Sequence, residues 1–125
     1  MRTDKENLIV DLTFEFALEV IDYVEALNKQ GKLVIPIQLL KSGTSIGANV
    51  REAQNAESKK DFIHKFKIAA KEADESEYWI KLCAASRHYP EPKGLDNKLI
   101  SITKIISKII ASSKSSNQLI TKSLN

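Results

Sequence analysis

Residues 58–88 read SKKDFIHKFKIAAKEADESEYWIKLCAASRH, and within them Phe62, Phe66, Ala69, Ala73, Ser76, Ile80 and Cys83 recur at spacings of 4-3-4-3-4-3. That rhythm puts small and apolar side chains on one face of an α-helix, the pattern of a helix packed against others. Ser58-Lys59-Lys60-Asp61 reads as a capping box at its start, with Asp61 standing in for the usual Glu or Gln. Pro90 and Pro92 end the pattern after His88. Ile68, Trp79 and Leu82 make an apolar flank beside the seam, with Glu75 among them, while Lys67, Lys71, Asp74, Tyr78 and Lys81 mark the outer face.

The same period continues on both sides. Upstream, Leu39, Gly43, Ile46, Val50 and Ala53 follow a 4-3-4-3 rhythm behind Pro36, which suits a first helical turn because its missing N–H is not needed there. Gly43 and Gly47 inside that helix each cost about 1 kcal/mol of propensity, which points to close approach by a neighbouring helix. Lys41, Ser45, Asn49 and Glu52 form a polar stripe on its flank, readable as a buried hydrogen-bond network or as a solvated edge. The first segment carries two adjoining seams: Ile9, Leu12, Phe16, Val20, Tyr23 and Leu27, then Val10, Phe14, Ala17, Ile21 and Val24. A separate acidic stripe holds Asp11, Glu15, Glu19, Asp22 and Glu25, and Gly31 closes the segment. Downstream, Leu95, Leu99, Ile102, Ile106 and Ile109 form the last seam, with Asn97, Ser101, Lys104 and Lys108 opposite.

Four helical stretches with short connections predict an all-α, antiparallel up-down-up-down four-helix bundle, with helices near 7–30, 36–56, 59–88 and 95–112. Residues 1–112 make up the bundle, and the Ser- and Lys-rich residues 113–125 read as a frayed or disordered tail.

Composition narrows the function. The N-terminal residues lack an apolar leader, no apolar run approaches the ~20 residues of a membrane span, and the lone Cys83 makes no internal disulfide. These features suit a soluble cytoplasmic chain without membrane contact. Net charge is +3 but uneven: −4 over residues 1–30, +3 over 31–60, zero over 61–90 and +4 over 91–125. Either the opposite charges pair within or between subunits, or the basic side meets a polyanion such as nucleic acid.

Sites for chemistry are scarce. A bundle metal centre calls for Glu residues and paired Glu-x-x-His motifs, and the nearest match is Asp61-Phe62-Ile63-His64, alone. One Cys and two His cannot supply a four-ligand zinc site. Gly43 and Gly47 sit in a helical period rather than in a phosphate loop, and Cys83 lies on the core seam. Arg87-His88 stands without a supporting constellation. No enzymatic activity and no cofactor are expected.

The stretch QLLKSGTSIGANVREA (38–53), with Ser58–Phe62 and Lys71–Trp79 downstream, resembles signatures of the bacterial four-helix bundle protein family. That family was first noticed as proteins encoded by intervening sequences in 23S rRNA genes. The accessory protein of diversity-generating retroelements is a relative. The resemblance spans most of the chain, with Lys41, Ser45, Asn49, Glu52, Glu75 and Glu77 as its polar motif. It implies a homo-oligomer, a ring of five subunits, without an established activity for most members. The retroelement relative is strongly basic and binds nucleic acid and its reverse transcriptase. The partners implied are further copies of the chain, RNA or DNA, and a reverse transcriptase or other protein. This chain is less basic and has an acidic first helix.

The expected function is that of a non-enzymatic, self-assembling bundle serving as a scaffold or a nucleic-acid-binding accessory protein. The alternative is a protein-binding adaptor. Lys104 and Lys108, with Lys98, Lys41 and Arg51, are the candidate phosphate contacts. Phe14, Ile21, Val24, Ile68 and Trp79 exceed what one bundle needs to bury and are the candidate oligomer interface.

Overall fold

Each break in the helical period becomes a turn. Gly31 takes φ +80°, a left-handed conformation open to glycine. There Lys32 N–H donates to Leu27 O and Gly31 N–H to Asn28 O, which satisfies the last carbonyls of the first helix. The computed structural model describes the backbone of residues 4–124 and the side chains of residues 8–115. Its helices are α1 (Asp4–Lys29), α2 (Val34–Ala53), α3 (Lys59–Ala85) and α4 (Leu95–Leu124). α2 ends sooner than the periodicity suggests, because Gln54, Asn55 and Ala56 donate three residues back to Arg51, Glu52 and Ala53 and tighten the chain into a turn. At the start of α3, Ser58 Oγ accepts from Asp61 N–H at 3.0 Å and Asp61 Oδ2 accepts from Glu57 N–H at 3.2 Å, so the expected cap forms. α3 stops at Ala85 because Ser86 turns to an extended conformation.

α4 departs from expectation. It does not break at residue 112 but runs on to Leu124, so residues 113–124 are helical rather than irregular. The physical reason is the seam: Ser113 takes the next core position after Ile106 and Ile109 and is itself buried.

The helices pack in chain order, and α4 returns to close against α1, leaving α1 and α3, and α2 and α4, on the diagonals. Cross-helix contacts fix the directions. Val20 and Thr13 of α1 meet Gly43 and Gly47 of α2, Ser42 and Glu52 of α2 meet Ser76 and Lys65 of α3, and Glu15 and Tyr23 of α1 meet Lys98 and Pro90 at the far end of the chain. In each pair the residue number rises on one helix as it falls on the other, as antiparallel neighbours require. The core between them holds Phe16, Val20, Leu39, Ile46, Phe66, Ile102 and Ile106, all fully buried.

The core also holds polar side chains that find partners. Thr13 donates to Ile9 O at 2.8 Å, and Ser76 donates to Ser42 Oγ at 2.9 Å. Tyr23 OH donates to Pro90 O at 2.6 Å and ties α1 to the α3–α4 turn. Burial, assisted by the neighbouring Cys83 and Tyr89, holds that phenol well above its ordinary pKa. The Cys83 thiol is raised by burial too, against a lowering contribution from Tyr23, which suits a small core residue rather than a nucleophile.

Candidate functional site

The polar motif of α2 does not form a buried network. Ser45 Oγ donates to Lys41 O at 2.7 Å and Asn49 Nδ2 to Ser45 O at 2.9 Å, so both side chains fold back onto their own helix. Glu52 reaches across to Lys65 of α3 at 3.4 Å, and Lys41 is exposed. Glu75 is also exposed, and Glu77 pairs with Lys81 within α3 at 2.8 Å. The polar atoms that do pair across the helices inside the core are Ser42 and Ser76, one residue away from the stripe. Glu72 sits on this side of α3, and burial together with the charge of Glu75 pushes its carboxyl above the usual range.

The five candidate interface residues separate into three groups. Phe14 is 61% exposed and Ile21 half-buried, on the side of α1 next to α2. An open groove of about 140 Å³ runs there, lined by Val10, Phe14, Ala17, Thr44, Gly47 and Ala48, with Arg51 at its edge. Ile68 and Trp79 are half-buried on the opposite side of α2, where α3 packs. Trp79 rests against the core and stacks edge-on with Tyr78 at 5.1 Å, and its indole N–H is buried without an acceptor among the described residues. Val24 corrects the expectation. It is only 3% exposed and belongs to the core of its own subunit. It lies one turn beyond Val20 and joins the same core cluster.

The surface offers further apolar area that the sequence reading left out. Leu18 is 48% exposed on α1, Ile37 51% and Val34 78% on α2, and Leu33 precedes α2 in the same state. Leu18 lies one turn from Phe14, and Ile37 lies two turns from Thr44 on the outward face of α2. The outer face of the α1–α2 pair therefore carries four large exposed apolar side chains, with the exposed charges of Lys41, Arg51 and Glu25 set among them.

The candidate phosphate contacts do not converge. Lys98 is ion-paired with Glu19 at 3.0 Å and Glu15 at 3.5 Å, and its hydrogen bond to Glu19 holds its pKa up, so this cation is already neutralised. That corrects its assignment as a free phosphate ligand. Lys104 and Lys108 are exposed on α4, one turn apart. Lys41 and Arg51 lie on α2, diagonal to α4. No single ligand face unites the five.

Among the described residues no group of three His, Cys, Asp or Glu side chains is placed to share a metal ion. No helix among them is long and apolar enough to cross a membrane.

The model of the 23S rRNA-intervening sequence protein family matches residues 5–112. The chain belongs to that family. A solved structure from Bacteroides thetaiotaomicron, described as a protein with unknown function from the S23 ribosomal protein family, is similar at 40% identity with a TM-score of 0.81. The match covers 86% of this chain and 98% of that one, so the intervening-sequence protein bundle is shared from end to end of the relative. No functionally curated protein matches the chain.

Proposed function

We propose that this intervening-sequence family protein is a non-enzymatic, self-assembling helical bundle that serves as a scaffold or a nucleic-acid-binding accessory protein. The apolar outer face of the α1–α2 pair carries the reading. Phe14, Leu18, Val34 and Ile37 are each about half exposed or more, on two adjacent helices, after the subunit has filled its own core. Large apolar side chains exposed together on neighbouring helices are what soluble monomers avoid, and a second copy of the chain covers them. A ring of subunits would also repeat a weak cationic surface several times over, and simultaneous contacts raise avidity without new chemistry.

Sedimentation across a dilution series tests the assembly. The expected species is larger than one subunit at micromolar concentration, a pentamer if the ring form holds. A monomer throughout the series contradicts the reading. A chain that stays monomeric yet captures a different protein through Phe14 and Leu18 is instead an adaptor.

A further inference from the structure

Among the described residues, a row of exposed lysines without ion-pair partners runs along α3, apart from Lys104 and Lys108 of α4. Lys60, His64, Lys67 and Lys71 follow spacings of 4-3-4, so they stand in one line along the outer face of the first half of that helix. All four are exposed, and no acidic residue shares the line before Asp74. Lys65, one step off the line, turns away to Glu52. From α4, antiparallel to α3, Lys114 arrives alongside Lys67, close enough for one ammonium to lower the pKa of the other. Among the described residues no ion pair reaches Lys60, Lys67, Lys71 or Lys114. Folding thus gathers like charges from two helices and leaves their repulsion uncompensated. An anion bridging Lys67 and Lys114 would relieve it.

We propose that this ridge, Lys60, Lys67 and Lys71 of α3 with Lys114 of α4, binds the phosphate backbone of a nucleic acid. The proposal rests on the accessory-protein reading above and assigns it a face. A rise of 1.5 Å per residue makes the line from Lys60 to Lys71 roughly 16 Å long, enough for several consecutive phosphates. Exposed ammonium groups with neither aromatic partners nor a fixed fork of donors recognise charge and spacing rather than bases. Binding through them is therefore sequence-tolerant and salt-dependent. The lysines of α4 at 104 and 108 serve this purpose less well because they offer two charges one turn apart, against three along α3 joined by Lys114.

The test uses the full chain and labelled single- and double-stranded RNA of mixed sequence, titrated at low and moderate salt. The expected result is binding that the K60E/K67E/K71E variant weakens about tenfold or more, with the salt slope falling by about 2–3, while K104E/K108E changes little. The milder K60Q/K67Q/K71Q variant should fall in between. Because these side chains are exposed, all variants should keep the helical circular dichroism and the assembly size of the parent. Loss of binding in K104E/K108E but not in the α3 variant overturns the assigned face and leaves the accessory reading intact. No binding of either RNA by the unmodified chain at low salt overturns both. An α3 variant that falls apart into smaller species shows instead that the ridge meets the acidic surface of a neighbouring copy.

Discussion

Ser76 of α3 donates its hydroxyl to Ser42 of α2 at 2.9 Å, inside a core lined by Ile, Phe, Val, Leu and Ala. The pair explains why a serine occupies a seam position in each helix. Two hydroxyls that face one another satisfy the need that either alone would leave open. They also fix the register of α2 against α3, since a slide of one residue would separate them.

Replacing Ser76 by Ala should lower unfolding free energy by about 1 kcal/mol, because Ser42 Oγ keeps only its longer bond to Leu39 O. Ser76→Leu should cost more, about 1–3 kcal/mol, by forcing extra volume into a filled layer. Urea denaturation followed by circular dichroism measures both. Equal stability of all three chains would show that the pair is dispensable.

The two glycines of α2 should respond differently to alanine. A Cβ on Gly43 would lie 3.0 and 3.1 Å from the two γ-methyls of Val20, which is fully buried and cannot retreat. The helix-propensity gain of about 1 kcal/mol is then outweighed, and Gly43→Ala should destabilise by about 1 kcal/mol net. At Gly47 the nearest atom is Thr13 Oγ1 at 3.3 Å, a milder contact, so Gly47→Ala should stay within about 0.5 kcal/mol of the parent. Thermal melts of the two variants side by side decide it.

Glu72 gives the fold a pH dependence of known sign. Burial and Glu75 raise its pKa above that of the unfolded chain, so the folded state holds this proton more tightly. Its contribution therefore favours folding at acid pH and is lost as pH rises through the folded pKa. Glu72→Gln removes the charge and should raise the melting temperature at pH 7. The difference from the parent should vanish as the pH falls below the carboxylate range. A variant less stable at pH 7 would mean that the carboxylate is needed rather than tolerated.

Much of this structure is legible in the residues, and what is not has a common cause. The seams of α2 and α3 fill the core as the 4-3-4-3 spacing predicts, with Phe62 alone only partly buried. Spacing gives the direction in which a side chain points from its own helix. It does not say what the neighbouring helix brings to meet it. Val24 is taken up by the core cluster of its own subunit, and Lys98 is neutralised by acids more than 75 residues earlier in the chain, at Glu15 and Glu19. Spacing puts Lys67 and Lys71 on the outer face of α3, but their meeting with Lys114 depends on the α3–α4 register. The length of α4 escaped because its Ser-rich end reads as irregular by composition, although Ser113 keeps the core position.

Assembly through the outer face of α1 and α2 is the central claim, and light scattering on the parent and on a Phe14→Glu/Leu18→Glu variant tests it most directly. Both side chains are exposed in the subunit, so the variant should fold with full helical content. Trp79→Ala is the contrasting control: it should cost stability, by about 2 kcal/mol or more, because Trp79 packs against its own core. The expected result is a parent mass several times the 14.0 kDa of one chain and a folded variant near one subunit. A parent of one-subunit mass, or a variant that assembles unchanged, would contradict it.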